Sequence, residues 1–463
     1  MPDTNRRDFL RSSAGVLGAP AIAQSRLSAN SRIRAAVVGL RGRGQSLIQA
    51  FHNLAKENVE IAAFCDVDES VLKQRASGYE QMSGKKVAML DDMRRVLDDK
   101  TIDVVGFATP NHWHSLGTIW ACQAGKDVYV EKPGSHNVFE GRKVVEAARK
   151  YNRMVQHGTQ NRSSPEIAEG IQKLKEGVIG RVHMARGVAY KRRGTMGSIR
   201  QEPVPPGLNW DAWQGPAPDR PYSKVRHRGW HLLFDYGNGD IGNQGVHELD
   251  IIRWALDLDT HPAKIASMGG GYIYKDDQQY PQVHAVMYEW PSRDVLVTFE
   301  TRSGYTNAEA GMGVEFPFLD KRNVVGVIFL GADGYMILPD YSSYYTFLGP
   351  KQEPGPKAAP GGLGPQAVPR GKGPSRAGAG DITDQPHFDN FIRAVRSRRP
   401  SDLAAGPEEL HLSAALPHFA NIAWRTGRML QFDGKTERFL GDEEANRMLT
   451  RDYRAPYVVP ERV

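Results

Sequence analysis

From about residue 32, short apolar runs alternate with longer stretches in which apolar positions recur every three or four residues. The runs Ile33–Val38, Val59–Cys65, Ile102–Thr109 and Asp127–Glu131 read as buried strands, and another begins at Met154–Gln156. The stretch after Gly44 and the spans His114–Ala124 and Val138–Tyr151 carry a helical period. This alternation predicts an α/β fold, with a doubly wound parallel Rossmann sheet over residues 32–160. Beyond Asn161 the runs lengthen and gain β-branched and aromatic residues, as in Val182–Tyr190, Val283–Trp290, Val295–Thr301 and Val324–Leu330. They predict a large, mostly antiparallel open sheet in a second α/β domain spanning 161–440. Phe388, Phe391, Ile392 and Val395, then Leu410–Thr426, announce late helices. Residues 349–380, rich in Gly, Pro and Ala, read as a flexible insertion, and 441–463 as a C-terminal tail.

The first strand runs straight into Gly39-Leu40-Arg41-Gly42-Arg43-Gly44, and the second ends at Asp66. Gly39, Gly42 and Gly44 allow a tight turn and close approach of backbone to a pyrophosphate, which the following helix N-terminus favours electrostatically. Asp66 stands roughly twenty residues past the last glycine, where a carboxylate accepts from a ribose hydroxyl. A 2′-phosphate would meet that charge, so the expected cofactor is NAD, with Arg41 and Arg43 leaving NADP open. The spacing, Gly-x-x-Gly-x-Gly, differs from the commoner Gly-x-Gly-x-x-Gly, and Asp66 carries much of the weight.

At 463 residues the chain exceeds one ordinary core, and 40% hydrophobic with 24% charged residues is a globular composition. Most of the net charge of +7 sits in residues 1–23 and 351–380, so no basic face for nucleic acid emerges and no apolar run is long enough to span a membrane. Asn5-Arg6-Arg7-Asp8-Phe9-Leu10, a mildly apolar stretch and Ala21-Ile22-Ala23 read as a twin-arginine signal peptide with its cleavage site, residues 1–31 including a linker. The expectation is a bacterial protein exported folded, in the periplasm or beyond, by the twin-arginine machinery. Cys65 and Cys122 read as free thiols.

Strands of a doubly wound sheet deliver working residues at their carboxyl ends. Three ends are rich: Thr109-Pro110-Asn111-His112-Trp113-His114, Glu131-Lys132-Pro133, and Gln156 to Arg162 including Gln160. Lys132 is a candidate proton acceptor, its amine tuned by partial burial; the plainer account pairs it with Glu131. In the second domain Asn243, His247 and Asp250 fall at i, i+4 and i+7, one helical face able to hold a sugar diol and move its proton. Trp210, Trp213 and Trp230 beside Arg226, His227, Arg228 and His231 suit either carbohydrate binding or packing. Candidate substrate contacts are Gln160, Arg162, Lys191, Trp230 and Asn243. Candidate cofactor contacts are the turn from Gly39 to Gly44, Asp66, Thr109, Pro110, Asn111, His114, Glu131, Lys132 and Gln160. No third ligand joins His112 and His114 at metal spacing, so no metal is expected.

Val-Gly-Leu-Arg-Gly-Arg-Gly at 38–44, Thr-Pro-Asn-His-Trp-His at 109–114, Val-Glu-Lys-Pro at 130–133 and the Gly-x-x-x-x-His segment from Gly242 to His247 resemble the Gfo/Idh/MocA oxidoreductases. The resemblance runs from about Arg32 to Arg428, outside 349–380. It implies Lys132 and His247 as the catalytic pair, a carbohydrate substrate, and homodimers or homotetramers built through the open sheet. One departure is Asn243, where the family commonly has Asp; an amide holds a hydroxyl but takes no proton. The implied activity is oxidation of a sugar or polyol hydroxyl, with tightly bound cofactor suiting an exported protein. The alternatives are an NAD-dependent glycosidase that oxidises, eliminates, hydrates and reduces, and a non-catalytic sugar binder.

Overall fold

The computed structural model describes residues 31–305, 323–358 and 380–463. The proposed signal sequence, except Ser31, and residues 359–379 of the expected insertion lie outside the described residues.

The N-terminal sheet is parallel, in the order β3-β2-β1-β4-β5-β6. Its strands are β1 Ile33–Val38, β2 Val59–Cys65, β3 Ala88–Leu90, β4 Val104–Phe107, β5 Asp127–Val130 and β6 Val155–His157. The order reverses between β1 and β4, which opens the crevice where such folds bind ligands. β4 is shorter than the predicted Ile102–Thr109, because the chain leaves the ladder after Phe107 to run past the glycine turn, with Ala108 N donating to Val38 O at 2.8 Å.

The second sheet has ten strands in the order β14-β13-β12-β11-β7-β10-β9-β8-β15-β16. They are β7 Val182–Lys191, β8 Lys264–Gly270, β9 Val283–Trp290, β10 Val295–Arg302, β11 Asn323–Gly331, β12 Gly334–Leu338, β13 Tyr344–Leu348, β14 Glu353–Ala358, β15 Leu430–Asp433 and β16 Arg438–Phe439. The β7–β10 pair is parallel within this otherwise antiparallel sheet. One face carries Val297, Phe299, Val327 and Phe329 into a core with Ile171, Leu249, Ile252 and Phe419 from three helices. The other face leaves Met268 (81%), Met287 (50%) and Leu296 (38%) exposed, as the strand period of two requires.

Three boundaries differ from the linear reading. Glu353–Ala358, expected to be part of a loop, is the edge strand β14 paired with β13; residues with Pro and Gly are tolerated at an edge. The helix Gly380–Ser397, assigned to the second domain, buries Phe388, Phe391, Ile392 and Val395 against Ile33, Leu47 and Phe51 of the first, where Phe388 stacks on Tyr129 at 4.1 Å. The expected tail also packs, with Tyr457 and Val459 in the core beside Trp113 and Leu116. The helix and the tail cover faces of the Rossmann domain that its own segment leaves open.

Candidate active site

The glycine turn is pressed against the exit of β4. Gly39 has φ +83°, and a Cβ there would lie 2.7 Å from Ala108 O; one on Gly44 would lie 2.0 Å from Gly39 O. Gly42, at φ +37°, faces open space. Asp66 is fixed from both sides: Oδ2 accepts from Leu40 N at 2.8 Å and Oδ1 from Asp68 N at 3.0 Å. Burial pushes its carboxyl up, countered by those two amides and Arg41. Each oxygen retains acceptor capacity for a diol.

The two arginines of the turn have different surroundings. Arg41 pairs with Asp68 at 2.5 Å and is largely exposed. Arg43 is clamped between Glu131, at 2.7 Å, and Asp384. Its commitment to two carboxylates removes it as a ready partner for a 2′-phosphate, which leaves the site suited to NAD.

A cavity of about 320 Å³ runs from this turn past Asp66, Thr109, Pro110 and His114 to Lys132 and Asn243. Its outer wall is an excursion of the second domain that docks on the end of β2, with Asn209 N donating to Val67 O at 2.9 Å. Leu208, Ala212, Trp213 and Trp230 face the cavity from that wall. Trp210 and Trp213 stack at 4.5 Å inside a small core with Tyr222 and Tyr236, so packing accounts for them, while Trp230 lies at that core's margin. Asn111 is held by Asn238 at 3.1 Å, and the His114 ring lies between Thr109 O and Pro133 O at 2.8 and 2.6 Å, tying two strand ends together.

Lys132 is not paired with Glu131, which belongs to Arg43. Its Nζ donates to the main-chain carbonyl of Asn243 and lies 3.5 Å from Asn243 Oδ1. Burial pushes its amine down to about 8, against the pull of Glu131. Asn243 sits in a π-helical turn, Ile241–Gly245, that leads into the helix Val246–Ala255. Such turns recur at functional sites because the extra residue re-aims side chains. His247 is buried, and its Nδ1 has no hydrogen-bond partner among the described residues. Burial, then the positive charges of Lys132 and Arg43, keep its ring neutral. Gln160 Oε1 is likewise buried without a partner among the described residues. Such atoms are explained when a bound ligand supplies the missing hydrogen bonds.

Two sequence expectations are corrected here. Asp250 does not share a working face with Asn243 and His247; the π turn breaks the α-helical register, and Asp250 is buried against Arg162. Arg162, expected to contact substrate, makes three hydrogen bonds to Asp250 at 2.8–3.1 Å. Asp240 faces Arg193 at 2.7 Å. Lys191 lies close by and donates to Gln244 Oε1. Sequence reasoning missed Gln244, Glu248 and Tyr341: Gln244 Nε2 and Tyr341 OH each donate to Glu248 Oε1 at 2.9 Å. The signal for Glu248 was a glutamate set among Val246, Leu249, Ile251 and Ile252 on a helical stretch.

A second polar cluster has metal-ligand composition. His411 and His261 place Nε2 at 2.7 and 3.1 Å from Glu437 Oε1, all three side chains being within ligand range of one another. Arg142 already holds that carboxylate through both oxygens, at 2.6 and 3.2 Å. A guanidinium on the shared oxygen opposes a cation there, and the three side chains with Arg142 read as a hydrogen-bonded clamp.

Comparison with known proteins agrees with this geometry. Residues 33–159 match the Gfo/Idh/MocA oxidoreductase family, NAD-binding Rossmann fold, and residues 178–279 and 380–459 match its C-terminal alpha/beta domain. Levoglucosan dehydrogenase of Pseudarthrobacter phenanthrenivorans is 35% identical over 166 residues, 36% of each chain. D-glucoside 3-dehydrogenase of Escherichia coli is 26% identical over 168 residues, 36% of this chain and 46% of that protein. A glycosyl hydrolase family 109 protein of Solibacter usitatus is 34% identical over 158 residues, 30% of this chain and 35% of that one. The chain thus aligns with less than half the length of these relatives. In three dimensions, levoglucosan dehydrogenase in complex with NADH and levoglucosan superposes with a TM-score of 0.63 at 16% identity, over 87% of this chain and 99% of that one. The WlbA dehydrogenase from Bordetella pertussis in complex with NADH and UDP-GlcNAcA gives 0.61 at 15%, over 87% and 99%. The matched segments flank both halves of the crevice, and the chain belongs to the Gfo/Idh/MocA oxidoreductase family, with its NAD-binding Rossmann domain and its C-terminal α/β domain.

Proposed function

We propose that the protein oxidises a ring hydroxyl of a sugar, sugar derivative or polyol. The observation that carries this reading is the convergence of Lys132 and Asn243 at the inner end of the cavity that begins at Asp66 and the glycine turn, with His247 buried close enough for the charge of Lys132 to help keep its ring neutral. Bound NAD supplies the hydride acceptor. The glycine turn would take the pyrophosphate and Asp66 the ribose diol, with Thr109, Pro110, Asn111 and His114 forming the wall that would lie along the nicotinamide side. Lys132 takes the hydroxyl proton, for which its amine must be neutral. His247, held neutral by burial, offers Nδ1 to a neighbouring hydroxyl, and Asn243 Oδ1 and Gln160 Oε1 accept others.

Sugar dehydrogenases among the relatives support the substrate class. The family 109 relatives favour a second reading, redox-neutral cleavage of a glycoside. Residues 1–23 support export by the twin-arginine route, and a cofactor retained between turnovers suits that destination. The exposed sheet face with Met268, Met287 and Leu296 supports assembly into dimers or tetramers. The test is protein purified without added nucleotide, denatured to identify any dinucleotide by mass, then assayed with levoglucosan and 4-nitrophenyl glucoside. Absorbance growth at 340 nm supports the dehydrogenase, nitrophenol release without it supports the glycosidase, and neither with binding intact leaves the binder.

A further inference from the structure

The excursion that forms the outer wall of the cavity is tied to the Rossmann domain by main chain. Leu208 pairs with Asp68 in an isolated antiparallel bridge, where Asn209 N donates to Val67 O and Glu69 N donates to Gly207 O, both at 2.9 Å. Both sides of the bridge are preorganised. Pro205, Pro206 and Gly207 make a tight turn closed by Leu208 N on Pro205 O at 3.2 Å. Gly207 has φ +79°, and a Cβ there would lie 3.3 Å from Glu69 Cβ. Asp68 caps the helix Glu69–Ser83, its Oδ1 accepting from Ser70 N and Val71 N, while its Oδ2 holds Arg41 of the glycine turn. Behind the bridge Trp210 Nε1 donates to Arg220 O at 2.8 Å, so the segment leans on its own packed core.

The place of this bridge decides what it does. A dinucleotide with its pyrophosphate on the glycine turn puts its adenosine ribose at Asp66 and its adenine beyond. The lining beyond Asp66 is Val67, Asp68 and Met93 of the Rossmann domain, together with Leu208, Ala212 and Trp213 of the excursion. We infer that Pro205–Trp213 is a latch over the adenosine half of the site, and that the dinucleotide enters and leaves only while the bridge at Asp68 is open. This rests on the dinucleotide reading of the cavity, and it gives a retained cofactor a physical cause. The bridge bonds lie wholly within the protein, so closure slows entry as well as exit. A residue that merely touched the cofactor would slow exit alone.

The experiment measures exchange on full-length protein by stopped flow, using energy transfer from tryptophan to NADH. Release is read by chasing NADH-loaded protein with excess NAD, and entry by mixing nucleotide-free protein with NADH. Wild type should release NADH with a half-life of about a minute or longer. Asn209→Pro removes the N–H that bonds Val67 O, along with a side chain that accepts from Ala212 N at 3.0 Å; Asn209→Ala removes only the side chain. Asn209→Pro, and independently Gly207→Ala, should raise entry and release rates together by about tenfold or more, leaving Kd within about threefold. Asn209→Ala should match wild type. Faster release with unchanged entry makes the segment a plain contact and overturns the latch. Unchanged rates in both variants, or equal acceleration in Asn209→Ala, overturn it too. Wild type that oxidises a glucoside yet sheds NADH within about a second overturns the latch and leaves the dehydrogenase reading standing. Wild type that binds no NADH takes both down.

Discussion

Replacing Asp250 by Ala should be among the most damaging single substitutions in the second domain. Arg162 and Asp250 are only 9% and 1% exposed in their side chains, and three N···O contacts of 2.8–3.1 Å join them. Ser413 Oγ adds a bond to Asp250 at 2.6 Å and in turn accepts from Arg253 at 2.8 Å. Without the carboxylate, two buried guanidiniums, Arg162 and Arg253, lose their shared partner and keep only the weaker pull of Glu409 and, on Arg253, Asp259; burial with Arg162 already pushes Arg253 down to about 10. Breaking such a pair costs about 3–5 kcal/mol, whereas replacing both partners by apolar groups is often close to neutral. Urea unfolding followed by tryptophan fluorescence should therefore show a loss of about 3–5 kcal/mol for Asp250→Ala, and about 1 kcal/mol or less for Arg162→Met with Asp250→Leu. The pH dependence has a definite sign. Burial opposes ionisation of Asp250, but Arg162 and Ser413 hold it below the ordinary range. Its contribution is thus fully present above the unfolded value of about 3.9 and fades only as pH falls through the lower folded value. A single-variant cost below about 1 kcal/mol, or a double variant as unstable as the single, would refute the reasoning. If the double variant also raises the sugar KM by about tenfold or more, about 1.4 kcal/mol, Arg162 contacts substrate after all.

Activity should rise with pH around a midpoint of about 8, because Lys132 must be neutral to accept a proton, leaving about one-hundredth of the plateau rate at pH 6; a rate already at its plateau at pH 6 would move the role to a group that is neutral there, such as His247. Asp66→Asn should weaken NAD about tenfold while narrowing its preference over NADP, measured by fluorescence titration of both; unchanged discrimination would remove Asp66 from ribose recognition. Neither equimolar zinc nor EDTA should move the melting temperature, since Arg142 occupies the Glu437 carboxylate; a zinc-dependent rise would make His261, His411 and Glu437 a metal site.

What the sequence revealed was local. The glycine turn, Asp66 and the three strand ends follow from residues close together in the chain, where strand period, turn chemistry and topology fix the outcome. What it hid depended on distant partners or on a break in register. Arg162 and Asp250 read as site residues because a lone arginine and a lone helical acid carry no sign of each other. The face shared by Asn243, His247 and Asp250 assumed an unbroken α-helix, and the π turn Ile241–Gly245 removes that assumption. The helix Gly380–Ser397 looked like part of the second domain by position alone, yet its aromatic stripe completes the first.

Asn243 then takes on a different meaning. Where proton acceptance is assigned to a carboxylate at this position, an amide looks like a defect; here the position grips the proposed acceptor, Lys132, with its main-chain carbonyl and leaves Oδ1 3.5 Å from Nζ. A carboxylate at that distance would stabilise the ammonium and raise the amine's pKa, since two unit charges about 4 Å apart interact by about 4 kcal/mol even at an effective dielectric of 20. The amide leaves Lys132 easier to deprotonate. Asn243→Asp should therefore move the midpoint of the pH–rate profile upward by about one pH unit or more and lower the rate at pH 7 by about tenfold or more, with the plateau at high pH largely kept. The profile of kcat/KM between pH 6 and 10 decides it. A midpoint that stays put or falls means that Lys132 is not the group whose ionisation limits the reaction.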